Sequence, residues 1–326
     1  MSPTVLITGA NGQIGSILTR KLRDRYGADR VIATDIRPAP GEGGRFALLD
    51  VTDADSLREI VRRERVTHVY HMVAILSASG EKDPLRTWRI NMDAWLNVLE
   101  VARTEGVERV FYPSSIAVFG SKANLDLAPN DSVLQPATVY GISKAAGENW
   151  AKYYFDRYGL DVRSLRYPGV IGPASDPGGG TTDYAVDIYH YAARGEDYTC
   201  FLGPDATLPM IYMDDAIRAT FELMDAPAER IRERTSYNLA GCSFAPREVA
   251  AAIREHVPGF AVTYDPDHRQ QIAAGWPQRI DDAAAREDWG WEPAYDLPRI
   301  TADMLERLRA RYADAATTPR YSPGVR

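Results

Sequence analysis

Short apolar runs alternate with longer amphipathic segments through the first half of the chain. The apolar runs are rich in Val and Ile, which favours buried strands, and the segments between them carry apolar residues at helical spacing. The predicted strands are residues 5–8, 31–35, 68–74, 109–115 and 162–169. The predicted helices are residues 14–25, 56–65, 87–105 and 140–158. Strands that each precede a helix predict an α/β, Rossmann-type doubly wound parallel sheet with helices on both faces.

The pattern loosens after residue 170 into loops rich in Gly and Pro with shorter helices. Helices are predicted at 213–224 and 245–257, and residues 235–241 are predicted to return to the sheet as a strand. We therefore expect a second, smaller and interleaved C-terminal α/β domain for the substrate. The predicted first domain comprises residues 1–170 and a returning segment at about 213–242. The predicted substrate domain comprises residues 171–212 and 243–312, and residues 313–326 are expected to form a mobile tail.

Composition is that of a globular protein and excludes several classes of partner. Apolar residues make up 45% and charged residues 25% of the chain, and the net charge of −7 disfavours nucleic acid and anionic membranes as partners. There is no long apolar run of the kind that spans a bilayer. Only Cys200 and Cys242 are present, and folded structure is predicted from "TVLITGANG" onward, so we expect a reduced, cytoplasmic protein without a signal peptide.

Two histidines resemble a paired metal motif. His68 and His71 lie in "THVYHMVA", which reads as a strand, and no cysteine or acidic cluster accompanies them. A stable transition-metal site usually needs three or four such ligands. We therefore predict no metal.

A glycine motif follows the first predicted strand. "VLITGANGQIG" places Gly9, Gly12 and Gly15 between that strand and the first helix, in the spacing G-x-x-G-x-x-G rather than G-x-G-x-x-G. Glycine at such a turn lets the backbone approach a pyrophosphate, which is attracted by the helix N-terminus. Asp35 ends the second strand at the distance expected of a ribose-binding acid. The segment therefore predicts a dinucleotide site.

The residues after the second and third apolar runs bear on which dinucleotide binds. The Asp35 carboxylate would accept hydrogen bonds from ribose hydroxyls and repel a 2′-phosphate, so NAD is favoured over NADP, although Arg37 weakens this preference slightly. Asp50 and Val51 are candidates to flank the adenine. The alternative for Asp50 is a helix cap at "DVTDADS".

Candidate chemistry lies in "YPSSIAVFG" and "VYGISKAAGE". Tyr140 and Lys144 are four residues apart, so they share one face of the predicted helix, and Ser115 closes the preceding strand. A neighbouring ammonium favours the phenolate, so we expect the Tyr140 pKa to fall below 10 and the phenol to act as a general base. Lysine occurs at only five positions, so Lys144 is not part of a general lysine surface.

These motifs resemble the extended short-chain dehydrogenase/reductases, in which Ser or Thr, Tyr and Lys form the catalytic set. Further segments narrow the resemblance to the metal-free, NAD-dependent L-threonine 3-dehydrogenases of that superfamily: "SLRYPGVIG", "PGGGTTDYAVDIYHYA", "YTCFL", "LPMIYMDDAIRAT" and "DDAAAREDWGW". The resemblance covers nearly the whole chain. It implies oxidation of the 3-hydroxyl of L-threonine by NAD to 2-amino-3-oxobutanoate, in threonine catabolism.

The resemblance implies a site residue set. The catalytic residues would be Ser115, Tyr140 and Lys144. The residues expected at NAD are Gly9, Asn11, Gly12, Gln13, Ile14, Gly15, Asp35, Ile36, Arg37, Asp50, Val51, Met72, Val73, Ala74, Asn91, Pro113, Tyr140, Lys144 and Tyr167. Those expected at the substrate are Ser77, Ser115, Tyr140, Gly180, Thr181, Thr182, Asp183 and Trp276, with Ser79 as a further candidate.

The loop at residues 178–183 suits a small zwitterion. It offers backbone N–H groups for a carboxylate, two hydroxyls (Thr181 and Thr182) and an acid (Asp183) for an ammonium, all at a predicted helix N-terminus. The alternative is that Thr182 or Asp183 simply caps helix 184–194. Trp276 is expected to cover the pocket, with a buried structural role as its alternative.

Three rival functions remain open at this point. A nucleotide-sugar epimerase or dehydratase with bound NAD uses the same Ser-Tyr-Lys set, but such enzymes usually carry Asn where this chain has Pro168 and Gly169. A dinucleotide sensor would be expected to lack Tyr140 or Lys144, and a zinc enzyme would need a ligand cluster.

The two long helices also predict self-association. Apolar residues beyond one face of helices 87–105 and 140–158 (Trp95, Leu96, Leu99, Trp150, Tyr153 and Tyr154) favour a homodimer. Helices at these positions commonly pair across dimers of the resembled superfamily.

Overall fold

The computed structural model describes residues 2–38, 43–174, 176 and 180–317, with side chains as far as residue 313. Its strands, β1 to β12 in chain order, are Val5–Thr8, Val31–Asp35, Phe46–Leu48, His68–His71, Arg109–Ser115, Asp161–Tyr167, Gly169–Ile171, Tyr198–Cys200, Leu208–Tyr212, Tyr237–Asn238, Cys242–Phe244 and Val262–Tyr264. The α-helices, α1 to α11, are Gln13–Tyr26, Ala54–Glu64, Ser77–Gly80, Pro84–Glu105, Val139–Tyr158, Tyr184–Arg194, Met213–Asp225, Pro246–His256, Arg269–Ala274, Ala283–Trp289 and Leu297–Thr317.

The central sheet has seven strands in the order β10-β6-β5-β4-β1-β2-β3, and neighbouring strands run parallel. Strand β1 pairs with both β2 and β4, so Val5 is opposite Val31 on one side and His68 on the other. Helices cover both faces. The predicted fold class, a Rossmann-type doubly wound parallel sheet, is therefore confirmed.

Three apolar cores hold these layers together. One face of the sheet packs against α1, α7 and the buried Trp291. The other face packs against α2, α4 and α5. The third core lies among α6, α8, α11 and the small strands β8 and β9, and it supports the loop before α6. Strands β11, β9 and β7 form a second sheet, and β12 pairs with β8. The domain division itself remains a prediction.

Several predicted strands end earlier than expected, and the reason is backbone pairing. Strand β4 ends at His71, where its partner β1 also ends, so the apolar residues 72–74 leave the sheet. Strand β6 ends at Tyr167, because Pro168 has no N–H to donate, and β7 joins the three-stranded sheet instead. The returning strand is only two residues long, at Tyr237–Asn238.

The predicted apolar surface of α4 and α5 is partly wrong. Trp95 and Leu99 are fully buried, and Tyr154 is 8% exposed, all in the core beneath the sheet. Trp150 and Tyr153 are exposed as predicted. Helix α11 extends to Thr317, so the first residues of the predicted tail are helical, and residues 318–326 lie outside the described residues.

The turn between β1 and α1 depends on glycine. Gly9 has a φ of +71°, a conformation that side chains disfavour. A Cβ at Gly15 would lie 2.2 Å from the Gly9 carbonyl oxygen, so the first turn of α1 packs directly on the loop backbone. A Cβ at Gly12 would lie 3.3 Å from the same Gly9 oxygen, a tight but tolerable contact. Gly15 is therefore required for packing, whereas Gly12 has room on its protein side.

We expect Gly15→Ala to lower the free energy of unfolding by about 1–3 kcal/mol, because the added methyl group must displace backbone. Gly12→Ala should change that stability little, yet weaken binding of the predicted dinucleotide, since this methyl group would meet the ligand. Denaturant unfolding and NAD titration of both variants measure the two effects. Equal stability losses in the two variants would contradict this account.

Candidate active site

One cavity of about 240 Å³ opens at the carboxyl ends of β1, β4, β5 and β6. Strand order changes direction between β1 and β4, where crevices in doubly wound sheets bind ligands. The cavity wall is formed by Gly12, Gln13, Ile14, Gly15, Met72, Ala74, Leu76, Ser77, Pro113, Ser114, Ser115, Ile116, Tyr140, Lys144, Tyr167, Pro168, Gly169, Val170, Gly180, Thr181, Thr182, Asp183 and Trp276. Glycines of the first turn thus face the Tyr-Lys pair and the loop before α6.

Most of the predicted site residues meet in this wall, including the three predicted catalytic residues and all the predicted substrate residues except the additional candidate Ser79. Ser79 is exposed, and its hydroxyl donates to the Leu76 carbonyl oxygen. The predicted cofactor residues outside the wall are Gly9, Asn11, Asp35, Ile36, Arg37, Asp50, Val51, Val73 and Asn91.

Asp35 is buried at the end of β2 and organises the loop beside the glycine turn. Its Oδ2 accepts from the Asn11 backbone N–H at 3.1 Å, and its Oδ1 accepts from the Arg37 N–H at the same distance. The Asn11 side chain donates to the Arg37 carbonyl oxygen at 2.8 Å. The turn after β1 and the segment after β2 are therefore both held by one carboxylate, which retains acceptor capacity for ribose hydroxyls.

Other predicted cofactor residues are used locally. The Asp50 side chain accepts from the N–H and hydroxyl of Thr52, so it closes a turn, and the alternative of a helix cap at this residue is wrong. Asp53 caps α2 instead. The Val51 side chain is buried in the core. Asn91 exchanges two hydrogen bonds with the backbone of Ile75 and thereby fixes the segment after β4.

Tyr140 and Lys144 lie in the first turns of α5, next to the end of β5. The Thr138 hydroxyl caps this helix by accepting from the Gly141 N–H at 3.1 Å. The Lys144 Nζ donates to the Pro113 carbonyl oxygen at 2.6 Å and lies 5.6 Å from the centre of the Tyr140 ring. Helix geometry thus brings the amine and the phenol to one side of the cavity.

The protonation of this pair differs from the prediction. Enclosure in the cavity wall raises the pKa of Tyr140 to about 12, although its hydrogen bond with the Ser115 hydroxyl lowers it in part. Burial also lowers the pKa of Lys144 to about 7, while the charge of Glu148 raises it. The prediction that Lys144 brings the phenol below its ordinary pKa is therefore wrong for these protein groups alone, because burial raises the phenol pKa by more than the hydrogen bond with Ser115 lowers it.

The loop before α6 supplies the opposite wall. The Thr181 side chain is 1% exposed, and its Oγ1 has no hydrogen-bond partner among the described residues. The Asp183 carboxylate accepts from the Gly180 N–H at 2.8 Å and makes no side-chain cap to α6, so the capping alternative is wrong for this residue. Residues 177–179 of the predicted loop lie outside the described residues.

Trp276 is 9% exposed and closes one end of the cavity. It also lines a second cavity of about 110 Å³, bordered by polar residues such as Thr207 and Gln278. The two alternatives predicted for Trp276 are therefore compatible, because this side chain is both buried and part of the cavity wall.

Sequence reasoning missed a buried ion pair directly behind the site. Glu148 and Arg166 form a salt bridge at 2.8 Å, and Glu148 also accepts from the Ser114 hydroxyl at 2.5 Å. One signal was available, because Glu148 follows Lys144 by four residues in "YGISKAAGE". Its partner on β6 could not be read from spacing.

The two histidines that resemble a paired metal motif, His68 and His71, have no metal-ligand geometry in the described part of the chain. There, no group of three or more His, Cys, Asp or Glu side chains is arranged to hold a metal ion. His71 Nδ1 is 3.0 Å from the Thr8 hydroxyl, and His68 Nδ1 is 3.0 Å from the Thr67 hydroxyl.

None of the described helices has the length and apolar character needed to cross a membrane.

Known proteins with similar sequences and structures identify the group to which this chain is related. An uncharacterized epimerase/dehydratase of Staphylococcus aureus (strain USA300) is 46% identical over 312 residues, which cover 94% of this chain and 97% of the relative. The structure of a GalE-like L-threonine dehydrogenase from Cupriavidus necator, in its holo form, is 55% identical with a TM-score of 0.93, covering 94% of this chain and 100% of that one. A monomeric L-threonine 3-dehydrogenase from a metagenome, in its apo form, is 43% identical with a TM-score of 0.91, covering 94% and 99%.

A family model described as the NAD dependent epimerase/dehydratase family matches residues 5–240. The close turn at Gly9 and Gly15 and the acid at Asp35 fit that dinucleotide, and the prediction of NAD as cofactor is confirmed. The resemblance to the extended short-chain dehydrogenase/reductases is also confirmed. These comparisons support an NAD-dependent oxidoreductase, and the chain belongs to the NAD dependent epimerase/dehydratase family.

Proposed function

We propose that this protein oxidises the 3-hydroxyl of L-threonine with NAD, giving 2-amino-3-oxobutanoate and NADH in threonine catabolism. The observation that carries the proposal is the Thr181 hydroxyl, which has no hydrogen-bond partner in the described part of the chain and lies in the same cavity wall as Tyr140 and Asp183. An alcohol-oxidising pair and a loop suited to an amino acid therefore share one small space. The threonine dehydrogenases among the similar structures agree with this assignment.

The loop before α6 has the groups that a zwitterion requires. The helix begins at Tyr184, so its N-terminal backbone dipoles attract a carboxylate, and the Thr181 hydroxyl adds a donor. The Asp183 carboxylate has acceptor capacity beyond its bond to the Gly180 N–H, which suits an ammonium. We assign the substrate carboxylate to Thr181 and the ammonium to Asp183. Ser77 and Trp276 close the remaining sides.

Tyr140 is the general base in this proposal. Bound NAD supplies the electrophilic ring that accepts the hydride from C3. Tyr140 takes the proton of the 3-hydroxyl, and the Ser115 hydroxyl holds the same oxygen. Because the pKa of Tyr140 is about 12 among the protein groups alone, the phenol is neutral at pH 7. Ionisation then depends on positive charge near the ring, and oxidation should accelerate as the pH rises through the loaded enzyme's phenol pKa.

A nucleotide-sugar epimerase or dehydratase is the alternative, because this family includes such enzymes. A Cβ on Gly169 would lie 2.8 Å from the Thr182 Cβ, so the absence of a side chain here lets the threonine loop approach the cavity. This close approach supports a small substrate.

We also propose that two copies associate through α4 and α5. Exposed apolar side chains on α5 include Ile142, Trp150 and Tyr153, which share one helix face, and Trp88 is exposed on the adjoining α4. Contiguous exposed apolar surface of this kind marks association sites in proteins. One similar threonine dehydrogenase is monomeric, so the assembly has to be measured. The cytoplasmic location remains a prediction.

We expect the protein to accumulate NADH with L-threonine and not to interconvert UDP-sugars. Tyr140→Phe should reduce kcat by about 10²–10⁴-fold while NAD still binds, because only the proton acceptor is lost. The assay follows NADH with L-threonine, other β-hydroxy amino acids and UDP-sugars, and NAD binding is titrated separately.

Tyr112→Phe is the matched control for this variant. The Tyr112 ring lies 4.6 Å from the Lys144 Nζ, but Tyr112 is absent from the cavity wall, so removal of its hydroxyl should change kcat only a few-fold. Near-normal turnover by Tyr140→Phe, or sugar epimerisation without NADH release, would overturn the proposed function.

Thr181→Val should have opposite effects on stability and on substrate binding. The variant replaces a buried hydroxyl that has no partner within the described residues, so the free energy of unfolding should stay the same or rise. The KM for L-threonine should rise about tenfold, because a hydrogen bond to the substrate carboxylate is lost. Thermal unfolding and steady-state kinetics measure both quantities, and an unchanged KM would exclude the assigned contact.

Tyr153→Arg should shift the protein from dimer to monomer without unfolding it, since the side chain is 48% exposed. The introduced charge would oppose its counterpart across an interface between identical copies. Sedimentation of the wild type and the variant measures the mass of each. A monomeric wild type would reject the proposed dimer.

A further inference from the structure

The Glu148–Arg166 pair is the most deeply buried ion pair near the cavity. Glu148 on α5 is fully buried, and Arg166 on β6 is 3% exposed. The pair is bidentate, with Arg166 Nε 2.9 Å from Oε1 and Nη2 2.8 Å from Oε2 of Glu148. The Ser114 hydroxyl donates to Oε1 as well. Each oxygen of this carboxylate thus has a donor, and its position is fixed.

Arg166 also forms hydrogen bonds with residues other than Glu148, and these fix the position of its guanidinium group. Its Nη1 donates to the Asn130 carbonyl oxygen at 2.7 Å and to the Asn238 side-chain oxygen at 3.2 Å. Asn238 lies on β10 and donates in turn to the carbonyl oxygens of Ala128 and Asp281. The network therefore joins α5 to the edge of the central sheet. Burying such a pair costs desolvation that apolar packing would avoid, so stability alone is a weak reason for it.

The carboxylate is placed to act on the predicted catalytic residues. Glu148 follows Lys144 by four residues, so both side chains project from one face of α5. Its partner Ser114 directly precedes Ser115 in β5. The network therefore contacts the strand end that carries one catalytic residue and adjoins the helix turn that carries the other two.

The surroundings of Lys144 are otherwise neutral at pH 7. The amine contacts the Pro113 carbonyl oxygen and the faces of the Tyr112 and Tyr140 rings, whose phenols have pKa values raised by burial. His71 on β4 faces the same amine, and burial lowers the pKa of that imidazole to about 3, so it carries no charge. The charge of Arg166 on β6 has no resolved effect on the Lys144 pKa, whereas the charge of Glu148 raises it.

We propose that Glu148 is a positioning residue that favours the protonated form of Lys144 and holds the Ser115 end of β5 in place. The proposal rests on the roles assigned above to Tyr140 and Lys144. Without a carboxylate on its own helix face, a buried ammonium would lose its proton, and the cation that favours the Tyr140 phenolate would disappear. Glu148 need not touch the substrate to act in this way.

The Lys144 amine can be titrated directly because the chain has only five lysines. Protein labelled with ¹³C at the lysine Cε gives few signals, and Lys144→Arg identifies the one that belongs to Lys144. In the wild type this signal should titrate with a pKa of about 7. In Glu148→Gln we expect that pKa to fall by about one unit or more, as loss of a nearby opposite charge requires.

Two controls separate charge from packing. Glu148→Asp keeps the charge and should retain most of the wild-type Lys144 pKa, whereas Ser114→Ala removes one hydrogen bond to Glu148 and should leave that pKa nearly unchanged. If Glu148→Gln fails to fold, the double variant Glu148→Gln with Arg166→Met removes both buried charges, and the Lys144 pKa should still fall. An unchanged Lys144 pKa in the folded single or double variant would overturn the proposal.

This measurement is independent of the proposed substrate. The titration needs no turnover, so a wild type inactive with L-threonine would reject the proposed function while the Lys144 result stands. In an active enzyme, Glu148→Gln should also move the rising limb of the kcat profile to higher pH, because loss of the Lys144 charge raises the pKa of the Tyr140 phenol. A uniform loss of kcat at all pH values, with no shift of that limb, would indicate a structural role only and contradict the proposal.

Discussion

The close approach of α5 to β5 is the contact on which the site depends. A Cβ on Gly141 would lie 2.1 Å from a backbone oxygen of the turn that follows β5, and a Cβ on Gly147 would lie 2.1 Å from the Tyr112 hydroxyl oxygen. Two glycines, one on each side of Lys144, therefore set the distance between helix and strand. Only at this distance does the amine reach a carbonyl oxygen within β5 and stand beside Tyr140.

The same close packing determines the charge state of the pair. Enclosure raises the pKa of Tyr140 to about 12 and lowers that of Lys144 to about 7, so the protein groups by themselves hold a neutral phenol at pH 7. A phenol in this state is a poor base until positive charge is brought near it. In the proposed reaction, proton removal would therefore depend on positive charge brought into the cavity and on the protonation of Lys144 beside Glu148.

Local sequence pattern predicted the elements whose borders are set locally. Strands 5–8, 31–35 and 109–115 match because each is a continuous apolar run between polar or glycine-rich segments. Strand borders that depend on a partner were missed: β4 stops where β1 stops, and β6 and β7 separate at Pro168.

The same distinction between local and long-range signals applies to the candidate site. The glycine turn and the Tyr-Lys spacing are short-range signals, and the structure brings them to one cavity. The lowered phenol pKa was not obtained, because desolvation depends on packing that no motif encodes. Likewise, Glu148 was visible in its motif, but its partner Arg166 comes from another strand.

Family membership alone does not select the reaction, because a Ser-Tyr-Lys set serves both epimerases and dehydrogenases. The residues that distinguish the two reactions have to lie in the cavity wall opposite Tyr140 and Lys144, which the loop before α6 supplies. There, Gly169 leaves room for Thr182, and the adjoining Thr181 presents a buried hydroxyl without a partner among the described residues. An unpaired buried hydroxyl is costly, and a substrate carboxylate would remove that cost on binding. The proposed amino-acid substrate rests on this relation between an unsatisfied hydroxyl and a charged ligand.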